Sequence, residues 1–76
     1  MIMITLHDTL LGQLVELRDR TKVRLDSDTG EEVTLPAGTY LEVKCKTLPL
    51  YIRTIIKDGD HEGRVAYVLH EAEIKP

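Results

Sequence analysis

The segment Asp58-Gly59-Asp60-His61-Glu62-Gly63 sets carboxylates at alternate positions ahead of a glycine, as the opening of a calcium loop does. A helix-loop-helix calcium site then needs a bidentate glutamate at the loop's twelfth position, because the hard cation takes six or more oxygen ligands. That position is Leu69, and a β-prone run follows where a helix would be required. The segment therefore reads as a solvated hairpin loop. Asp26-Ser27-Asp28-Thr29-Gly30 carries a weaker version of the pattern and reads as a turn. His7, His61 and His70 are scattered, and none pairs with a cysteine at the spacing of a zinc motif. A zinc site built from them would have to be assembled in space, and no metal ligand is assigned.

Cys45 is the only cysteine. It alternates with Leu41 and Val43, which predicts a small core residue, and buried thiols are inert as nucleophiles. The chain has no glycine-rich phosphate loop, no Ser-His-Asp setting and no cofactor fingerprint. The expectation is a protein that is not an enzyme, with no catalytic residue and no cofactor.

What remains is surface chemistry. Lys44, Lys46, Arg53 and Lys57 fall on two predicted strands that would be neighbours, and residues 47–57 carry two cations and no acid. Tyr51 and Arg53 share one face of their strand. Together these five residues form the candidate binding set, suited to a phosphate, a nucleic acid or an acidic partner. The competing account is a solvated, salt-bridged face, the usual way to protect a small sheet.

The elements that would position these residues are mostly strands. Residues 2–6 are β-prone. From Asp8 to Arg20 two readings compete. Leu6, Leu10, Leu11, Leu14 and Val15 fall at helical spacing, with Asp8 or Thr9 as a cap and Arg18 and Arg20 at the C-terminal end. Against this, Gln13 to Arg18 alternates as a strand does, and Gly12 weakens a helix. The short helix is preferred. From Thr21 the period becomes two. Val23 and Leu25 lead to the turn Ser27-Asp28-Thr29-Gly30, Val33 and Leu35 follow, and Pro36-Ala37-Gly38 breaks the chain. Leu41, Val43 and Cys45 then alternate with Glu42, Lys44 and Lys46. Leu50 to Lys57 places Leu50, Ile52 and Ile56 on one side. In Arg64 to His70, Val65, Tyr67 and Leu69 oppose Ala66 and Val68, which predicts a strand covered on both faces. Ile74 is placed to plug one end of the core.

About five short strands with turns every 8 to 12 residues predict a mainly β fold, a small barrel closing its own edges. The domain is single over 1–76, with residues 1–20 as an N-terminal strand or helix extension and 21–76 as the barrel. Val23-Arg24-Leu25, the turn Leu35-Pro36-Ala37-Gly38-Thr39, and Ile74 ahead of Pro76 behind an acidic residue resemble small bacterial and phage SH3-like β-barrel proteins over residues 21–76. The resemblance implies a fold far more than a function. The family strand after the turn often carries Gly-x-Val, whereas this chain has Tyr40-Leu41-Glu42-Val43. Proline-rich peptide binding is not expected, because the Ala-Leu-Tyr-Asp-Tyr signature and any tryptophan are missing.

Thirteen acidic and ten basic side chains give a net charge of −3, and from Asp58 onward there are five carboxylates against two cations. Duplex nucleic acid is bound mainly by neutralising phosphates, so this balance disfavours it without removing it. Hydrophobic residues make up 42%, enough to fold, yet the aromatics are Tyr40, Tyr51 and Tyr67 alone, so the core must be aliphatic. One cysteine permits no internal disulfide, and no stretch approaches a membrane span or a signal peptide. The expected setting is cytoplasmic. The expected role is a binding or adaptor module that docks on another protein or self-associates, with nucleic-acid binding and small-molecule sequestration as the alternatives.

Overall fold

A computed structural model describes residues 3–76. Among the described residues, alternation of apolar and polar side chains gives eight short strands: β1 (Ile4–Thr5), β2 (Leu14–Glu16), β3 (Thr21–Leu25), β4 (Glu32–Leu35), β5 (Tyr40–Cys45), β6 (Tyr51–Ile56), β7 (Val65–Leu69) and β8 (Glu73–Ile74). The chain is mainly β, as its pattern predicts, although with more strands than the five expected. The only helical element among the described residues is a 3-10 turn over Leu6–Asp8.

Six strands form one antiparallel sheet in the order β2-β5-β6-β7-β3-β4, and β1 pairs with β8 in a second, two-stranded sheet. One face of the large sheet turns inward. Val15, Val23, Leu25, Leu35, Leu41, Val43, Ile52, Ile56, Ala66 and Val68 bury there as a single aliphatic core, together with Leu6, Leu17 and Ile74 from outside its strands. Residues 6 and 75 are held to this core by backbone bonds. Leu6 N–H donates to Ala72 O (2.8 Å), Lys75 N–H to Glu16 O (2.9 Å), and Leu17 bridges Ile74. Ile74 thus fills the position predicted for it.

The segment 8–20 departs from the preferred helix. The Thr9 hydroxyl donates to Leu6 O (2.6 Å) and ends the helical turn after one revolution. Gly12 then takes φ 83°, in a turn that Gln13 N–H closes on Leu10 O (3.1 Å). Val15 and Leu17 point inward at period two, and Leu10, Leu11 and Leu14 stand 76%, 65% and 57% exposed. The helical spacing of these leucines has no apolar surface to meet, so the strand reading of this segment is correct. Of the β-prone run at 2–6, Ile4–Thr5 is strand and residue 2 lies outside the described residues.

Three further expectations are corrected. Cys45 is half-buried, not in the core, for a reason set out below. β7 is not covered on both faces: Ala66 and Val68 are fully buried, while Val65 and Tyr67 are half-buried and Leu69 is exposed. Leu50 lies just before β6 and is exposed, so it does not share the buried side of Ile52 and Ile56.

Candidate functional site

The solvent side of the large sheet is where the sequence-predicted residues other than Lys46 gather, and cross-strand register sets their arrangement. Arg53 on β6 stands opposite Tyr67 on β7, which stands opposite Arg24 on β3, which stands opposite Glu32 on β4. Flanking rows add Tyr51 opposite Leu69, and Leu14, Glu42, Ile55 and Val65 in succession across β2, β5, β6 and β7. Side chains on one face of adjacent strands lie about 4.5–5.5 Å apart at Cβ, so these rows form one continuous surface.

A β-bulge joins Cys45 to that surface. Val43 pairs with Thr54, yet the next partners are Cys45 and Arg53, so Lys44 is an extra residue on β5. Without the bulge Cys45 would continue the buried set of Leu41 and Val43. With it, Cys45 turns outward beside Arg53. Its thiol lies 3.3 Å from Thr47 Oγ1. Hydrogen bonding from the Thr47 hydroxyl and backbone, with a smaller contribution from the Arg53 charge, holds the thiol below its ordinary pKa.

The centre of the face is a tyrosine-arginine cluster. The Arg53 guanidinium lies over the Tyr67 ring, 5.7 Å from its centroid, and Tyr51 meets Tyr67 edge to face at 6.5 Å. Tyr67 is the member that the sequence reading did not select. Its only signal is its place in the set Val65, Tyr67 and Leu69 of β7, a set that apolar composition alone marks as covered.

The predicted lysines have different surroundings. Lys44 Nζ lies 3.4 Å from Glu42 Oε2 and Lys57 Nζ 3.5 Å from Glu42 Oε1, so both share one carboxylate. The two cations hold Glu42 below its usual pKa, Lys44 most strongly. Lys46 Nζ donates to Thr9 O, away from the aromatic cluster. The structure thus joins Tyr51 and Arg53 to Tyr67, places Lys44 and Lys57 at the rim through Glu42, and leaves Lys46 out. Among the described residues Arg24 pairs with Glu32, Lys75 with Glu16 and Arg18 with Glu73, whereas Arg53 forms no ion pair with a carboxylate.

The calcium-like loop is committed to folding. Asp58 Oδ1 accepts the Tyr40 N–H (2.9 Å), which ties the β6–β7 hairpin to the start of β5. Among the described residues no group of three or more His, Cys, Asp or Glu side chains converges. No described helix is long and apolar enough to cross a membrane.

The chain matches no protein-family model, no curated protein and no solved structure.

Proposed function

We propose that this chain is a non-catalytic docking module that binds another protein through the outer face of β5, β6 and β7. The observation that carries this reading is the Tyr51–Tyr67–Arg53 cluster, in which the guanidinium rests on an aromatic ring and forms no carboxylate ion pair among the described residues. Tyrosine and arginine dominate the energetic centres of protein interfaces, where a rigid ring supplies area and the guanidinium supplies a directional charge. Ile55, Val65 and Leu69 surround the cluster with apolar surface, and the Lys44–Glu42–Lys57 group forms a polar rim. The matching partner surface offers an apolar patch with one carboxylate for Arg53.

The nucleic-acid alternative draws less support from the same face. It relied on Lys44 and Lys46 beside Tyr51 and Arg53, and those lysines are engaged by Glu42 and by the Thr9 carbonyl. A phosphate contact would therefore rest on Arg53 almost alone.

The test compares the wild-type chain with Arg53→Ala and Tyr67→Ala as baits in extracts of the source cells. The recovered protein is then purified and titrated against all three. A protein that binds wild type and loses at least about tenfold affinity to each variant supports the reading. Equal recovery by wild type and variants overturns it. So does salt-sensitive binding of oligonucleotides with no protein partner, which would favour the nucleic-acid alternative.

A further inference from the structure

The 3-10 turn over Leu6–Asp8 is held against the end of β7 by its backbone: His7 N–H donates to His70 O (2.9 Å), beside the bond from Leu6 N–H to Ala72 O. This brings together two histidines separated by 63 positions, with their Nδ1 atoms 3.0 Å apart and their rings tilted by 45°. The His70 ring is oriented from behind, since its Nε2 lies 3.1 Å from Leu48 O. A carbonyl oxygen can only accept, so in the neutral ring Nε2 of His70 carries the proton and the Nδ1 lone pair faces His7. His7 Nδ1–H then donates to it.

From this geometry we infer that His7 and His70 form a two-nitrogen site for a borderline transition-metal cation of the zinc, nickel or copper(II) class, bound through both Nδ1 atoms. Two imidazole nitrogens at Zn–N distances of about 2.0–2.1 Å in a tetrahedral site lie roughly 3.3 Å apart. The observed 3.0 Å opens by a few tenths of an ångström as both rings turn from facing each other to converge on the cation. On binding, the proton on His7 Nδ1 leaves to solvent and Nε2 of the same ring takes one up, so both rings stay neutral. The Nε2–H of His70 keeps its bond to Leu48 O, the outer contact that fixes the tautomer and direction of a ligating histidine.

Neutral imidazole suits zinc, nickel and copper, whereas magnesium and calcium require oxygen ligands. Each histidine is followed by a carboxylate: Asp8 is held by the Thr5 N–H and hydroxyl at 3.1 Å each, and Glu71 borders the open cavity over the rings with Thr5 and Pro49. The remaining coordination positions go to water. Because the cation would fasten the start of the chain to the end of β7, its binding to the folded state raises stability with free metal concentration.

The probes are zinc sulfate and nickel chloride, with magnesium chloride as the comparison and His61→Gln, a change in the hairpin loop, as the control variant. Zinc and nickel should raise the melting temperature of wild type and His61→Gln in proportion to the logarithm of their concentration, and magnesium should not. His7→Gln and His70→Gln should each weaken zinc binding at least about tenfold. Because either variant could loosen the turn, nitrogen resonances of the wild-type imidazoles give a second readout. Zinc should shift Nδ1 of His7 and His70 and leave His61 unmoved. Unchanged zinc affinity in both variants, a shift at His61 alone, or an equal effect of magnesium would overturn the inference.

Discussion

Cys45 faces Arg53 across the β5–β6 ladder, on the solvent side of the sheet, because Lys44 is accommodated as a bulge. The thiol's low pKa, set chiefly by Thr47 and then by Arg53, gives it more thiolate at neutral pH than an ordinary cysteine has. Iodoacetamide should therefore modify the native protein, with a pH–rate midpoint below the ordinary thiol value. Thr47→Val should move that midpoint upward. Modification that occurs only on denaturation would show that Cys45 is a core residue after all.

Ile74 lies in a two-residue strand yet is almost fully buried against the core. Truncating it to alanine should cost about 2–5 kcal/mol, as for other buried large-to-small changes. For a domain of this size that lowers the melting temperature by on the order of 10 °C or more. Leu10→Ser and Leu50→Ser, at exposed positions, should stay within about 0.5 kcal/mol of wild type. Thermal or urea unfolding distinguishes the two classes directly.

Gly38 closes the turn between β4 and β5 with φ 91°, and its N–H donates to Leu17 O (2.8 Å). A Cβ placed there would sit 3.7 Å from Glu16 Oε2, an ordinary contact, so the penalty in Gly38→Ala is conformational. About 1–2 kcal/mol of lost stability is expected, measured by urea titration. A neutral or stabilising effect would mean that the turn readily adopts another backbone.

Three carboxylates are held below their usual pKa: Asp8 by the Thr5 backbone and hydroxyl, Glu16 by Lys75, and Glu42 by Lys44 and then Lys57. A group with a depressed folded pKa adds stability above its unfolded pKa and loses that contribution as pH falls through the folded value. Melting temperature should therefore fall from about pH 4 downward. Glu16→Gln should flatten part of that acid limb. At the opposite extreme, Glu16 raises the pKa of Lys75, so the pair's contribution fades as pH rises through that raised value. An acid limb of equal slope in wild type and Glu16→Gln would rule out this assignment.

What could be read from the chain alone follows from range of interaction. Val23 and Leu25, Leu41 and Val43, and Ile52 and Ile56 announce their strands because a half-buried sheet imposes a period of two locally. Leu10, Leu11 and Leu14 mislead because apolar spacing carries no information on whether a surface exists to cover it. Cys45 misleads because a single inserted residue reverses the side chain that follows it, and the bulge shows only in the pairing of β5 with β6. Tyr51 and Arg53 were visible as one face of a strand, but their link to Tyr67 required the β6–β7 register. The His7–His70 contact depends on how the two ends of the chain meet, which no local pattern records.

That meeting of ends has a kinetic consequence. Ile4 pairs with Ile74, Leu6 and Lys75 are bonded across the same junction, and Leu17 bridges Ile74, so the last residues complete a core begun by the first. Such contacts join residues far apart in sequence, and the entropy of closing long loops must be met before they form. During synthesis the nascent domain has no native way to seal its apolar interior until residues 72–75 have left the ribosome. Docking of residues 72–75 is therefore the step that seals the core, and a chain cut before Ala72 would display an open, protease-sensitive sheet.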